Sequence, residues 1–188
     1  MFNLLNKILN NQNNVKSKFF DLKKNTHVEI IFKAIEDFSI DSEIRYVGGC
    51  VRKIINNEKI DDIDLATNLN PEGIKKALNK KGINFNEIGV EHGTITALIE
   101  KEKYEITSLR SDIVTDGRHA KVQFTKSWRE DAERRDFTIN SIYSDREGNI
   151  FDPFNGKKDL EEGSVNFIGD GEKRIKEDYL RILRYLRF

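Results

Sequence analysis

The stretch that decides the fold reads VGGCVR at residues 47–52 and resumes, after a short polar segment, as DDIDL at residues 61–65. Residues 44–47 have the pattern of a short strand, and the residues after the two glycines have that of a helix. Glycines between a strand and a helix let the backbone approach a phosphate, and the helix N-terminus adds a favourable field for an anion. Since a tight turn without a ligand would use the same glycines, this pattern alone leaves both interpretations open.

Three acidic residues are spaced along the chain so that they could bind a metal ion together. Asp62 and Asp64 alternate with apolar residues, so on a strand both would project to one face, where each carboxylate would raise the pKa of the other. Glu105 lies between Tyr104 and Ile106 in a later predicted strand and could stand beside them. A divalent cation would relieve the repulsion, and oxygen ligands favour Mg²⁺. Each acid taken alone also fits a solvated strand edge.

The rest of the chain supplies the elements around this centre. Apolar periodicity predicts helices over 27–38, 51–57, 71–80, 128–134 and 174–188, and a docking helix or frayed tail over 1–25. Alternation predicts strands around 62–65, 122–125 and 139–144, and a hairpin formed by 94–100 and 103–108. Residues 111–121 lack periodicity, which predicts a mobile loop.

Composition restricts the classes of function. The 188 residues include 32 Lys and Arg and 32 Asp and Glu, so a general polyanion binder is disfavoured and nucleic-acid contact requires a local basic cluster. A single cysteine, Cys50, excludes an internal disulfide and fits a reducing compartment. No run has the length of a membrane span. From these features we expect a cytoplasmic protein with no membrane association.

Longer motifs then give a resemblance. The order of diglycine, Asp-x-Asp and a third acid resembles the DNA polymerase β-like nucleotidyltransferase superfamily. Residues 134–140, RRDFTIN, look like the (R)RDFT-x-N motif of class II tRNA nucleotidyltransferases and bacterial poly(A) polymerases. Residues 177–181, EDYLR, resemble their ED-x-x-R motif, and residues 152–160, DPFNGKKDL, fit their D-x-x-x-G-x-x-D-L segment. The similarity covers nearly everything from residue 45 to 188.

The resemblance implies a fold and an organisation. It implies an α/β (α+β) head with a mixed sheet and flanking helices, followed by the start of a helical neck domain. The expected divisions are an N-terminal extension over 1–25, a catalytic head over 26–150, and a linker with the first part of the neck over 151–188. Since the chain ends within the predicted neck helix, we expect an exposed apolar face there that a missing C-terminal region, a partner chain or self-association would cover.

The resemblance also implies an activity: template-independent addition of CCA to the 3′ end of tRNA from CTP and ATP, with release of pyrophosphate and Mg²⁺ as cofactor. A poly(A) polymerase of the same family is the nearest alternative, although residues 117–124, GRHAKVQF, look more like the tRNA enzymes. A non-catalytic nucleotide-binding fragment that needs a partner chain is a third. The family's loop after the third acid helps to switch from C to A addition, and here it would contain Asp116, Arg118 and His119.

The roles that the family implies are carried only to matching positions. The metal ligands and catalytic acids would be Asp62, Asp64 and Glu105. The triphosphate and sugar would be held by Gly48, Gly49, Arg52, Arg134, Arg135, Asp136 and Asn140. The incoming base would be read by Asp178 and Arg181.

The proposed base-reading pair makes physical sense by itself. Residues three apart on a helix share a face. An Asp accepts a hydrogen bond from the exocyclic amine of C or A, and an Arg donates to ring acceptors. A surface ion pair would have the same spacing. One position departs from the family motif G-G-x-V-R-D, because Lys53 stands where an Asp is usual.

Overall fold

The computed structural model describes residues 2–116 and 119–188, and side chains within these ranges except those of residues 2–12 and 112–122. The helices are α1 Phe2–Asn25, α2 Val28–Glu36, α3 Gly49–Ile55, α4 Pro71–Lys80, α5 Trp128–Glu133, α6 Gly156–Glu162, α7 Gly171–Glu177 and α8 Leu180–Tyr185. Short 3₁₀ helices occupy Val90–His92 and Thr138–Asn140. Of the helices in these ranges, none has both the length and the apolar character that crossing a membrane requires.

The strands form one mixed sheet and one separate hairpin. They are β1 Ile44–Val47, β2 Asp64–Thr67, β3 Asn84–Asn86, β4 Thr94–Ile99, β5 Glu102–Ser108, β6 Arg110–Asp116, β7 His119–Phe124, β8 Tyr143–Ser144 and β9 Ile150–Phe151. The sheet order is β3-β4-β5-β2-β1-β8-β9, and β6 pairs with β7. Strands β2 and β5 run parallel, whereas β1 is antiparallel to both of its neighbours, β2 and β8.

The two faces of the sheet are packed differently. Leu65 and Ile106 face the larger apolar core, which contains residues of α1, α2, α3 and α4. Ala66 belongs to a smaller cluster with Ala132 of α5 and Tyr143 of β8. Successive strand residues project to opposite faces, so Asp64 shares the face of Ala66. The main core therefore lies behind the sheet, and the acid faces the α5 side.

Most of the predicted elements are confirmed. β1 has the predicted bounds, and the hairpin of β4 and β5 lies where alternation placed it. The helix entry at residue 70 is also confirmed: Asn70 Oδ1 accepts the backbone N–H of Gly73 at 2.8 Å, and Pro71 occupies the first turn of α4. At the N-terminus, the docking-helix alternative holds, because α1 buries Val15 and Phe19 against the main core.

The prediction of a mobile loop over 111–121 is wrong. The backbone forms β6 and β7, and Asp116 and His119 are register partners in the hairpin. The β-branched run at residues 113–115 favours a strand even though polar residues flank it. Arg118, expected in the same loop, lies outside the described residues.

The prediction of one helix over 174–188 is also wrong, because the helix is interrupted between α7 and α8. Asp178 has extended backbone angles, φ −154° and ψ 104°. Its carboxylate accepts the backbone N–H of Leu180 at 2.9 Å, a local bond that competes with continuation of the helix. The predicted strand over 139–144 is similarly reduced, since Thr138–Asn140 is a 3₁₀ helix and only Tyr143–Ser144 pairs.

Candidate active site

A cavity of about 440 Å³ opens on the α5 side of the sheet, at the level of the diglycine turn. It is lined by Asp64 and by every nucleotide-binding residue that the sequence predicted, from Gly48 to Arg181. Arg184, Arg187 and Phe188 also line it and were not predicted as site residues. The spacing of three residues from Arg181 to Arg184 and to Arg187 was the signal that could have found the two arginines. The volume suits a small-molecule ligand.

The diglycine turn forms one wall of the cavity. Gly48 has φ +68°, a left-handed conformation that favours glycine, and it caps α3. A Cβ at Gly48 would lie 3.7 Å from Arg135 Nη1, whereas a Cβ at Gly49 would meet open space. The turn thus leaves room for a ligand at Gly49 next to Arg52.

Asp62 and Glu105 each lie near enough to Asp64 to act on its charge, but of the three predicted metal ligands only Asp64 lines the cavity. Asp64 and Glu105 are register partners on β2 and β5. Burial raises the pKa of Asp64, and the charges of Glu105 and Asp62 raise it further. Asp62 and Glu105 are exposed and lie outside the cavity lining. Across the described ranges, no three His, Cys, Asp or Glu side chains are arranged as a metal-holding group.

The chemistry of these three acids nevertheless fits a hard cation. Asp64 is a partly buried carboxylate whose charge is disfavoured by desolvation and by two neighbouring acids, and a divalent ion would compensate it. Carboxylate oxygens are the ligands that Mg²⁺ prefers. Asp64 would be the central ligand, because it alone of the three lines the cavity.

Asp131 of α5 holds the two arginines of the RRD motif. Its carboxylate, 1% exposed, accepts Arg134 Nη2 at 2.8 Å and Arg135 Nη2 at 3.0 Å, and it also accepts the hydroxyl of Tyr143 at 2.7 Å. Burial would raise the pKa of Asp131, but the guanidinium groups of Arg135 and Arg134 hold it at about 2. The sequence prediction missed this residue, although an acid three and four positions before two arginines on a helix is a recognisable ion-pair spacing.

The second half of the motif forms a chain of polar contacts across the cavity. Asn140 Nδ2 donates to Asp136 Oδ1 at 3.0 Å, and Arg52 donates to Asn140 Oδ1. Asp136 also accepts Arg184 Nη1 at 3.1 Å. Burial lowers the pKa of Arg52. The Asn140 amide is therefore held in one orientation between an acid and a guanidinium group.

The predicted base-reading residues line the cavity, but the backbone that carries them differs from the expected helix. Arg181, 8% exposed, donates to Glu177 Oε2 at 2.8 Å and to the Arg174 carbonyl at 2.6 Å. Asp178 accepts Arg184 Nη2 at 2.8 Å. The argument that Asp178 and Arg181 share a helix face is wrong, because the backbone at Asp178 is extended. A local turn keeps them close instead, because the Arg181 backbone N–H donates to the Asp178 carbonyl at 3.1 Å.

Lys53, the departure from the family motif, points away from this cavity. Its Nζ lies 2.6 Å from Asp61 Oδ2, so the lysine ties α3 to the segment that carries Asp62. The two residues Lys53 and Asp62 line a neighbouring cavity of about 630 Å³, which shares Arg52 with the first.

Neighbouring carboxylates on the central strands of a mixed sheet, beside a cavity walled by a diglycine turn and arginines, define a nucleotidyltransferase-type head domain. The comparisons with known proteins agree. Residues 44–166 match the family described as "Poly A polymerase head domain". The chain therefore belongs to the poly(A) polymerase head-domain family.

The chain is also similar to several curated proteins. The chain is 52% identical over 147 residues to the human "CCA tRNA nucleotidyltransferase 1, mitochondrial", covering 78% of this chain and 34% of that protein. It is 43% identical over 145 residues to the "CCA-adding enzyme" of Bacillus licheniformis, covering 76% and 36%. The chain thus spans about a third of the length of these curated relatives.

Solved structures show the same fold. A Bacillus stearothermophilus CCA-adding enzyme in complex with CTP superposes with a TM-score of 0.74 at 32% identity, covering 84% of this chain and 37% of that chain. A tRNA nucleotidyltransferase complexed with a primer tRNA and an incoming ATP analog gives a TM-score of 0.66 at 29% identity, covering 84% and 44%.

Proposed function

We propose that this chain is the nucleotide-binding and catalytic part of an RNA nucleotidyltransferase that adds CCA to the 3′ end of tRNA from CTP and ATP, without a template, and releases pyrophosphate. One observation carries the proposal: a single cavity gathers Asp64, the arginines of the RRD motif and the two candidate base-reading residues. The relatives' names and the CTP, ATP-analog and tRNA complexes of two structural neighbours support the choice of substrates.

The triphosphate would lie between the diglycine turn and three guanidinium groups. Arg52, Arg134 and Arg135 line the cavity, and a guanidinium group can bind phosphate through two parallel hydrogen bonds. Arg134 and Arg135 are held from behind by Asp131, so their positions are fixed before the ligand arrives. Fixed donors of this kind stabilise developing charge without having to reorganise during the reaction.

Asp62, Asp64 and Glu105 would hold Mg²⁺. When bound, such ions lower the pKa of an attacking hydroxyl and stabilise charge on the triphosphate. The raised pKa of Asp64 supports this assignment, because a cation compensates the charge of a partly buried acid beside two others. The exposed positions of Asp62 and Glu105 leave both free to turn toward the ion.

The base would be read by Asp178 and Arg181 in place of a nucleic-acid template. The Asp carboxylate accepts from the exocyclic amine of C or A, and the Arg donates to ring acceptors, whereas U and G present the opposite pattern to the Asp. Arg184 donates to the Asp178 carboxylate, and Glu177 accepts from the Arg181 guanidinium group, so both side chains have fixed partners. A base therefore meets groups that are already oriented, which is a requirement for discrimination by hydrogen bonding.

The organisation of the chain is part of the proposal. We retain an extension over 1–25, a head over 26–150, and a linker with the start of a helical neck over 151–188. The exposed apolar side chains Leu183 and Leu186 of the last segment favour burial against a further region, a partner chain or a second copy. A cytoplasmic location is proposed from the single buried cysteine, Cys50.

The experiment that tests the function uses tRNA lacking its CCA end, the full chain, Mg²⁺ and each labelled nucleotide in turn, with nucleotide binding measured in parallel. Incorporation of C, C and then A supports the proposal. The family description keeps poly(A) synthesis as the second candidate, for which a long A tract on generic RNA is the signature. Nucleotide binding without incorporation supports a non-catalytic fragment and contradicts both.

A further inference from the structure

Asp131 lies at the junction between the nucleotide cavity and the β6–β7 hairpin. Its Oδ2 accepts from Arg135, as described above, and its Oδ1 accepts both Arg134 Nε at 2.9 Å and the backbone N–H of Arg110 at 3.3 Å. Arg110 is the first residue of β6. One buried carboxylate is thus shared by two arginines of the cavity and by the hairpin.

The hairpin is anchored to the body at its base, which we define as Leu109, Arg110, Phe124 and Thr125. Thr125 donates its backbone N–H to the Leu109 carbonyl at 2.9 Å. The ring of Phe124 packs over Gly93, where a Cβ would lie 2.7 Å from Phe124 Cε1. The Arg110 guanidinium group donates to the His92 carbonyl. Motion of this base must therefore change the contact between the Arg110 amide and Asp131.

The Asp131 carboxylate cannot easily reorient or lose its charge when the hairpin base moves. It is 1% exposed and it has charged partners on both oxygens. A buried carboxylate that loses a donor bears the cost of desolvation, so displacement of the hairpin base has to be compensated by its remaining partners, Arg134, Arg135 and the Tyr143 hydroxyl.

We propose that Asp131 is a positioning residue that couples the β6–β7 hairpin to the nucleotide cavity, so that the location of the hairpin base sets the placement of Arg134 and Arg135. The inference rests on the proposed function, in that the ligand of the two arginines is a nucleoside triphosphate. Coupling of this kind is reciprocal: a triphosphate that fixes the arginines also steadies the hairpin base, and a loosened hairpin base weakens triphosphate binding.

The first test measures hydrogen exchange at the Arg110 and Thr125 amides of the full chain, with and without saturating CTP and Mg²⁺. We expect CTP to slow exchange at these amides at least about fivefold in the unmodified chain and in Glu133→Gln, a matched control with the same chemical change at an exposed acid of α5. In Asp131→Asn the slowing should be lost and CTP affinity should fall about tenfold. Slowing that persists in Asp131→Asn overturns the proposal.

A second variant makes the test independent of how well Asp131→Asn folds. Phe124 is 40% exposed, and it does not line the cavity. Phe124→Ala should speed exchange at the hairpin base and weaken CTP binding about threefold, although no atom of the cavity changes. Faster exchange with unchanged CTP affinity contradicts the coupling and leaves the proposed function standing. Absence of CTP binding by the unmodified chain contradicts both.

Discussion

Asp64 and Glu105 lie opposite each other, in direct register, on the parallel strands β2 and β5. Parallel register partners project to the same side of a sheet, so the two carboxylates are neighbours because of backbone pairing. Asp62 precedes the same strand, and its charge adds to that of Glu105 in raising the pKa of Asp64. The sheet therefore concentrates negative charge beside the arginine-lined cavity, where a cation would reduce the free energy of the folded chain.

The first prediction concerns the cost of that charge. Since the folded-state pKa of Asp64 is raised, ionisation of Asp64 opposes folding. The stability that the protonated carboxyl contributes is present below the unfolded pKa of about 3.9 and is lost as the pH rises through the folded pKa. Asp64→Asn should therefore raise the Tm at pH 7 in the presence of a chelator. Addition of Mg²⁺ should raise the Tm of the unmodified chain and leave that of the variant unchanged. A Tm that Mg²⁺ shifts equally in both proteins would contradict a metal role for Asp64.

The second prediction separates Asp62 from its neighbour. Asp62→Asn should lower the rate of nucleotide incorporation by about 10²-fold or more, because it removes a charged group from the reacting centre. Asp61→Asn is the matched control, since Asp61 is exposed and pairs with Lys53, an interaction of little energetic weight. Steady-state incorporation into tRNA measures both. Equal losses of incorporation rate in the two variants would show that the effect comes from the segment of residues 61 and 62 and not from catalysis by Asp62.

The third prediction addresses base selection. Arg181→Lys keeps a positive charge near Glu177 but loses the fork of donors, so discrimination of CTP and ATP against UTP and GTP should fall about tenfold. Binding of inorganic triphosphate should change little. Competition between labelled nucleotides measures the first quantity, and titration with triphosphate measures the second. Arg146→Lys, which alters an arginine paired with Glu36, is the control. Retained selectivity in Arg181→Lys would contradict a base-reading role.

The fourth prediction concerns a close backbone approach. A Cβ at Gly156 would overlap the carbonyl of Thr138, where α6 packs on the 3₁₀ helix of the RRDFTIN motif. Gly156→Ala should therefore lower the free energy of unfolding by about 3 kcal/mol. Gly49→Ala, where a Cβ meets open space, should leave it nearly unchanged. Denaturant unfolding measures both, and equal stabilities would contradict the packing described here.

The fifth prediction uses the lowered pKa of Asp131. Because its folded pKa of about 2 is below the unfolded value, the stability it contributes is present above about pH 4 and is lost as the pH falls toward 2. The difference in unfolding free energy between the unmodified chain and Asp131→Asn should therefore shrink by about 2 kcal/mol over that window. The corresponding difference in unfolding free energy between the unmodified chain and Glu133→Gln should stay nearly constant. A difference that does not vary with pH would contradict the ion pairs of Asp131.

Local patterns predicted much of this structure because they depend on neighbours along the chain. Strand β1, the cap at Asn70 and the β4–β5 hairpin all follow from residues within a few positions of one another. The break at Asp178 did not follow, because the carboxylate's local bond to Leu180 competes with a helical pattern that is otherwise strong. Of the β6–β7 hairpin, only the end of β7 was predicted, as the strand around 122–125, because periodicity does not report the cross-strand pairing that orders the rest.

By itself, the sequence determined which side chains carry the proposed chemistry: the acids of residues 62–64, the diglycine turn and the arginines of the RRDFTIN and EDYLR motifs. Only the tertiary structure decided how they meet. It placed Asp64 beside Glu105 through strand pairing, brought Arg184 of α8 to Asp136, and brought Arg52 of α3 to Asn140. The physical reason is that spacing along a chain fixes the direction of a side chain only within one regular element, whereas these partners belong to different elements whose packing sets their distances.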